Sequence, residues 1–250
     1  MKLFVDVGNT RIKWAALTGA DLEHGGEARH GNDPDAAAGA LIERFRRRPD
    51  TVLVANVAGA AFADALATRI RTHWEIEARF AETQRVAGKI RNGYRDHTTL
   101  GVDRWLAILA AAGRYGGAAV IVDAGTAITI DLVEADGEHV GGYILPGLDL
   151  MRRALRTDTG DLGRLAPAEA GDPGASPVPG RGTAEAIGHG SVAAICALID
   201  HCARRAEAHN TKSVVVVTGG DADRLIPHLA VPAEHRPQLV LEGLVLWEPG

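Results

Sequence analysis

Cysteine is scarce in this chain: there are two in 250 residues, Cys196 and Cys202. Both fall in a segment that reads as helical. Six residues at 1.5 Å rise separate them by roughly 9 Å along the axis, too far for a disulfide within one straight helix. A reducing cytosol fits that usage. Histidine occurs 10 times but never as H-x-H or H-x-x-x-H, which argues against a histidine-based transition-metal site. There is no G-x-S-x-G, so no serine-nucleophile elbow is expected. No apolar run approaches the ~18 residues of a membrane span, and the N-terminus reads as a short strand rather than a signal peptide. Neither sign of charge dominates. A net charge of −5 and a sequence pI near 6.1 give no general attraction to nucleic acid or anionic lipid. Arg46-Arg47-Arg48 is the one basic cluster, and it reads as a solvated helix end. The expectation is a soluble, cytoplasmic protein with neither nucleic-acid nor membrane partners.

What the chain does have is a core and a repeat. Hydrophobic residues make up 46% of it, ample for one large domain or two of ~100–150 residues. The opening MKLFVDVGNT and the later AAVIVDAGTA share one pattern: a β-branched run, an aspartate, one small residue, then glycine and a hydroxyl or amide residue. Asp6 and Asp123 are equivalent, at an offset of 123 − 6 = 117 residues.

The elements follow in similar order in both halves. Strand Lys2–Val7, a turn at Gly8-Asn9-Thr10 and strand Arg11–Leu17 form a hairpin, because Ile12, Trp14 and Ala16 recur at period two. A Walker-type loop would lead into a helix instead. Helix Asp35–Arg47, strand Thr51–Val57 and helix Ala61–Trp74 come next. A polar, turn-rich Gly88–Gly101 then precedes the amphipathic helix Asp103–Tyr115. The pattern restarts with strand Ala119–Asp123, turn Ala124–Ala127, strand Ile128–Val133, a short strand near His139–Leu145 and helix Leu148–Leu155. Thr157–Gly182 carries six glycines and four prolines and reads as a long loop or lid. Helix Thr183–His209, strand Val214–Val217, helix Asp221–Leu229 and a strand-like tail LVLEGLVLW complete the chain. The fold class is α/β: two duplicated lobes with mixed sheets, 1–115 and 116–250, and a central cleft.

Turns of this kind expose several backbone N–H groups together, a concavity suited to phosphate oxygens. The glycine permits close approach. The adjacent carboxylate cannot meet phosphate without repulsion, so a hard cation such as Mg²⁺ bridges them. Lys13 can extend toward the same phosphates. Asp before Gly is also ordinary turn chemistry, and that reading stands beside the first. Thr218-Gly219-Gly220-Asp221 supplies a third strand entering a glycine turn.

DVGNT with Lys13, DAGTA and TGGDA resemble the two phosphate motifs and the adenosine motif of the acetate kinase, sugar kinase, heat-shock ATPase and actin superfamily, whose lobes are ribonuclease H-like. Within it, RNGYRDHTTLGVDRW, GGYILPG and GTAEAIGHG resemble type III pantothenate kinase, over essentially the whole chain. The resemblance implies an ATP-dependent kinase acting on the primary hydroxyl of pantothenate, at the start of coenzyme A biosynthesis. It implies that Asp103 accepts the hydroxyl proton, and that Tyr94, Gly101, Val102, Asp103, Arg104 and Thr183 contact pantothenate. Asp6, Val7, Gly8, Asn9, Thr10, Arg11, Ile12, Lys13 and Thr126 would contact ATP. Asp6 would lie nearest Mg²⁺, and Asp123 would hold a monovalent cation, K⁺ or NH₄⁺. A homodimer is implied as well. From the residues alone, Asp103 and Thr183 also read as helix N-terminal caps, and Arg104 as an exposed helix arginine.

Two features depart from the family pattern: Ala124 stands where a bulkier residue is often found, and the Thr157–Gly182 stretch is Pro/Gly-rich. Two rivals remain. A polyphosphatase-type hydrolase favours a serine where Asn9 stands. A non-catalytic transcription accessory factor would be expected to have lost Asp6, Asp103 or Asp123, and all three are present.

Overall fold

The computed structural model describes residues 1–19, 21–158, 176–208 and 213–247. The chain divides into two compact units, Met1–Arg114 together with the segment from Gln238, and Tyr115–Pro237. Each is built on one five-stranded mixed sheet.

In the first unit β1 (Lys2–Val7), β2 (Arg11–Thr18) and β3 (Asp21–Arg29) form an antiparallel meander. Helix α1 (Pro34–Arg44) leads to β4 (Thr51–Asn56), which pairs parallel to β1, and α2 (Ala60–Trp74) leads to β5 (Ala78–Phe80) beside β4. The order is β3-β2-β1-β4-β5. Leu3, Val5 and Val7 pack with Leu41 of α1 and with Phe62, Leu66, Ile70 and Trp74 of α2. Phe4, on the opposite face of β1, is buried as well, so the Leu3–Val5 centre of the strand is covered on both faces. A two-stranded hairpin, β6 (Val86–Ala87) and β7 (Ile90–Arg91), precedes α3 (Val102–Tyr115).

The second unit repeats this plan. β8 (Ala119–Ala124), β9 (Ala127–Val133) and β10 (His139–Pro146) form the meander, and β11 (Val214–Thr218) and β12 (Ala233–His235) continue in parallel, giving β10-β9-β8-β11-β12. The two sheets thus share one strand order, as the sequence repeat requires. Helices α4 (Leu148–Asp158) and α5 (Thr183–Ala208) cover the sheet, and Ile195, Cys196, Ile199 and Cys202 of α5 enter its core. By length and composition alone α5 could cross a membrane, and half of its apolar window is buried within the protein. It contains no unbroken apolar run of the length the sequence reading looked for. Small residues and few charges, rather than an unbroken apolar run, give the helix that character.

Three expectations change. The predicted helix Asp221–Leu229 is a single turn, α6 (Ala222–Leu225), followed by a 3₁₀ turn at Ile226–His228, because Pro227 interrupts the ladder. The predicted loop 157–182 begins after α4 ends at Asp158. Its central residues 159–175 lie outside the described residues. The strand-like tail is a helix, α7 (Leu239–Leu246), packed on β1 and β4 of the first unit although the sequence places 116–250 in the second lobe. A Cβ on Gly243 would sit 2.0 Å from the Leu106 carbonyl oxygen, so glycine is what lets α7 and α3 meet backbone to backbone.

Candidate functional site

The first turn closes with Gly8 N–H donating to the Arg11 carbonyl (3.0 Å), between the last ladder pair Val7 and Ile12. Both of those side chains are fully buried, so they can offer a ligand only backbone groups. Asp6 stands directly opposite Lys13 across the β1–β2 ladder, both half-buried. Directly opposed residues share a sheet face, so carboxylate and ammonium project together. Arg11 ion-pairs with Glu27 of β3 at 2.5 Å. Asn9, at the tip, is exposed.

The second turn is one residue shorter: Ala124 pairs with Ile128, and Gly125 N–H donates to the Ala127 carbonyl (3.1 Å). Asp123 has no lysine opposite it. Its ladder neighbours are Thr129 on β9 and Thr218 on β11. Two glycines clasp this turn. Gly147 N–H donates to the Thr126 carbonyl (2.9 Å), and a Cβ there would lie 2.3 Å from the Gly125 carbonyl oxygen. Gly219, at φ +90°, packs so closely that a Cβ would lie 2.4 Å from the Ala124 carbonyl oxygen and 2.5 Å from Asp123 Oδ1. Asp221 N–H completes the clasp on the Ala124 carbonyl (2.9 Å). The motifs DAGTA, GGYILPG and TGGDA, far apart in sequence, therefore form one structure. Arg224 holds Asp221 (3.1 Å) and reaches Asp149 of α4 (3.7 Å).

Ten residues apart in sequence, Tyr94 and Arg104 meet: the Arg104 Nη1–H donates to the Tyr94 hydroxyl at 2.8 Å. Arg104 is buried, not the exposed helix arginine of the alternative reading. Asp103 lies in the first turn of α3, half-buried, and its Oδ1 accepts from Arg104 N–H (2.8 Å). Gly101 rather than Asp103 takes the cap position, since its carbonyl receives the Trp105 N–H (3.0 Å). A Cβ on Gly101 would come within 2.6 Å of Asp103 Oδ1, so the carboxylate rests on bare backbone. Val102 opens the helix, half-buried. Thr183 is likewise the first helical residue of α5, exposed, with Gly182 before it accepting from Ala186 N–H (2.8 Å).

Sequence reasoning missed the two residues that shape the Tyr94 loop. Asn92 is buried; its Oδ1 accepts from Tyr94 N–H (3.0 Å), and its Nδ2 reaches the Gln84 carbonyl (3.4 Å). Arg85 donates to the carbonyls of Tyr94 (2.9 Å), Arg95 (3.0 Å) and Asn92 (3.3 Å). Asp96 caps the 3₁₀ turn at His97–Thr99, and its carboxyl is held below the usual range by the hydroxyl and N–H of Thr98. The Asn92-Gly93 turn pair was the one available signal. Neither cysteine is poised for chemistry: both are buried and unbridged, and burial, with Asp200 nearby, pushes the Cys196 thiol up to about 11. Among the described residues no group of three or more His, Cys, Asp or Glu is placed to hold a metal ion.

The fold is shared with solved proteins. A conserved Baf-family protein from Campylobacter jejuni matches at TM-score 0.61 with 21% identity, covering 97% of this chain and 95% of that one. A 2-dehydro-3-deoxygalactonokinase-like protein from Sinorhizobium meliloti matches at TM-score 0.60 with 16% identity, over 98% and 97%. A type III pantothenate kinase from Nitrosococcus oceani is 38% identical over 252 residues, 98% of this chain and 92% of the relative. The family model for type III pantothenate kinase matches residues 2–205, which takes in both turns, the Tyr94–Arg104 segment and Thr183. The chain belongs to the type III pantothenate kinase family.

Proposed function

We propose that this protein transfers the γ-phosphoryl group of ATP to the primary hydroxyl of pantothenate. The observation that carries this reading is the pairing of a duplicated phosphate-type turn with a segment that joins Asp103, Arg104 and Tyr94. Asp103 accepts the hydroxyl proton. A first-turn carboxylate stays ionised beside the helix dipole, which suits a proton acceptor. A weak base suffices, because phosphoryl transfer depends mainly on positioning and charge neutralisation. Arg104, anchored by the Tyr94 hydroxyl, offers a buried guanidinium to the substrate carboxylate. Gly101 and Val102 line the same segment, and Thr183 contributes a hydroxyl to pantothenate.

Asp6 through Lys13 and Thr126 bind ATP, the buried Val7 and Ile12 through backbone groups only. The two turns differ in a way that supports two cation roles. Lys13 opposite Asp6 meets phosphate directly, and Asp6 supplies a carboxylate of the sort that shares Mg²⁺ with phosphate oxygens. Asp123 between two threonines is an all-oxygen setting that fits K⁺ or NH₄⁺. When bound, the cations neutralise phosphate charge. Exposed Tyr143 and Ile144 on the edge strand β10 support a homodimer, and unbridged cysteines support a cytoplasmic setting.

The test is product analysis: protein, ATP, Mg²⁺, K⁺ and pantothenate should yield phosphopantothenate by mass spectrometry, and unmodified pantothenate after prolonged incubation sinks the proposal. Asn92→Ala provides a finer check. It leaves the Tyr94 N–H without its acceptor, at a cost of about 1–3 kcal/mol. Steady-state kinetics should show KM for pantothenate rising roughly tenfold, with KM for ATP changed less than about twofold. A uniform rise in both would contradict the assigned role of the Tyr94 loop.

A further inference from the structure

We propose that His30 is a positioning residue for the nucleotide, holding the first turn so that the Asn9 N–H faces a phosphate oxygen. The proposal rests on the reading of Gly8-Asn9-Thr10 as part of the ATP site. His30 follows directly on β3, is 3% exposed, and sets its ring against Phe62 of α2 at a centroid distance of 4.8 Å. It belongs to none of the motifs that mark the family resemblance.

Its bonds fix both the ring and the turn. Asn32 N–H approaches His30 Nδ1 at 3.0 Å, and a backbone amide can only donate. Nδ1 therefore carries the lone pair and Nε2 carries the proton, which is donated to the Gly8 carbonyl at 2.9 Å. The His30 backbone N–H donates to the Thr10 carbonyl at 3.2 Å. One residue thus holds two carbonyls of a three-residue turn.

The consequence follows from peptide geometry. The described chain has no cis peptide bond, and in a trans peptide the C=O and N–H point to opposite sides. Holding the Gly8 carbonyl toward His30 turns the Asn9 N–H away from it, toward the exposed tip. Gly8 gives this peptide unusual rotational freedom. If the peptide flipped, a carbonyl oxygen would meet the phosphate in place of a donor. The imidazole brace selects the attractive orientation before ATP arrives, so less ordering remains for binding itself.

The experiment compares wild type, His30→Leu and His30→Gln by titration with a fluorescent ATP analogue and by steady-state kinetics. Leucine keeps apolar volume but removes the donor; glutamine restores an N–H at the reach of Nε2. Both release the Asn32 N–H, which is at an exposed residue and can bond water. Expected for His30→Leu is nucleotide affinity lower by about tenfold or more, a matching rise in KM for ATP, and KM for pantothenate within about twofold of wild type. His30→Gln should recover affinity to within about threefold. Wild-type affinity in His30→Leu would overturn the proposal. So would equal losses in both variants accompanied by lower thermal stability, since that marks a core residue only. Wild type that binds the analogue but phosphorylates nothing refutes the kinase reading while the titration still decides on His30. Wild type that binds no nucleotide overturns both.

Discussion

Asp103→Asn lowers pantothenate-dependent kcat by about 10²–10⁴-fold, the range a positioned general base contributes, or about 3–5 kcal/mol of transition-state stabilisation. KM for either substrate changes little, because asparagine keeps the oxygen that accepts from Arg104 N–H. Losing first-turn charge costs the fold less than about 1 kcal/mol, so the variant is folded and inert rather than unstable. A pre-steady-state comparison locates the defect. Nucleotide binding should be at wild-type strength and the chemical step slow. If kcat falls less than about threefold, Asp103 is a structural first-turn acid and the proton goes elsewhere.

Gly219→Ala should be the most damaging change in the second unit. A methyl group there would lie 2.4 Å from the Ala124 carbonyl oxygen and 2.5 Å from both Ala124 C and Asp123 Oδ1, at φ +90° where L-residues are strained. Backbone strain of about 1–2 kcal/mol adds to overpacking of about 1–3 kcal/mol. For a chain of this size that lowers Tm by roughly 5–15 °C. Relief by displacement moves the very turn that carries Asp123 and Thr126, so nucleotide affinity should fall as well. The adjacent Gly220 is the control. Nothing lies within 4 Å of a Cβ there, so Gly220→Ala should melt within about 2 °C of wild type. Equal effects at the two glycines would contradict the clasp around the second turn.

How much of this was legible in the sequence depends on how local the determining contacts are. Both hairpins, β4, β8 and the long helices follow from period and turn chemistry, and the 117-residue offset anticipates the common strand order. The repeat implies more strand after the first hairpin, but β3 has no bounds legible in the sequence because Gly25 and Gly26 suppress its strand signal. Their reason is tertiary: a Cβ on Gly25 would lie 2.4 Å from Trp14 Cδ1, so the bare backbone makes room for a buried indole. The tail misled for a related cause. Leu239, Val240, Leu241 and Leu244 are all buried, and a helix apolar all round has no face by which to distinguish it from a buried strand. At the site, motif residues were legible because their chemistry is carried by residue type. Arg85 and His30 act through backbone carbonyls and amides that come from other segments, and no spacing rule reveals those; Asn92 and Gly147 lie inside quoted motifs, but their backbone partners do not show in the sequence.

The most direct test of the account is ADP release by the purified protein with ATP, Mg²⁺ and K⁺, measured with and without pantothenate. Turnover should require pantothenate and saturate with it. ADP release at the same rate in both conditions, or in neither, would contradict it.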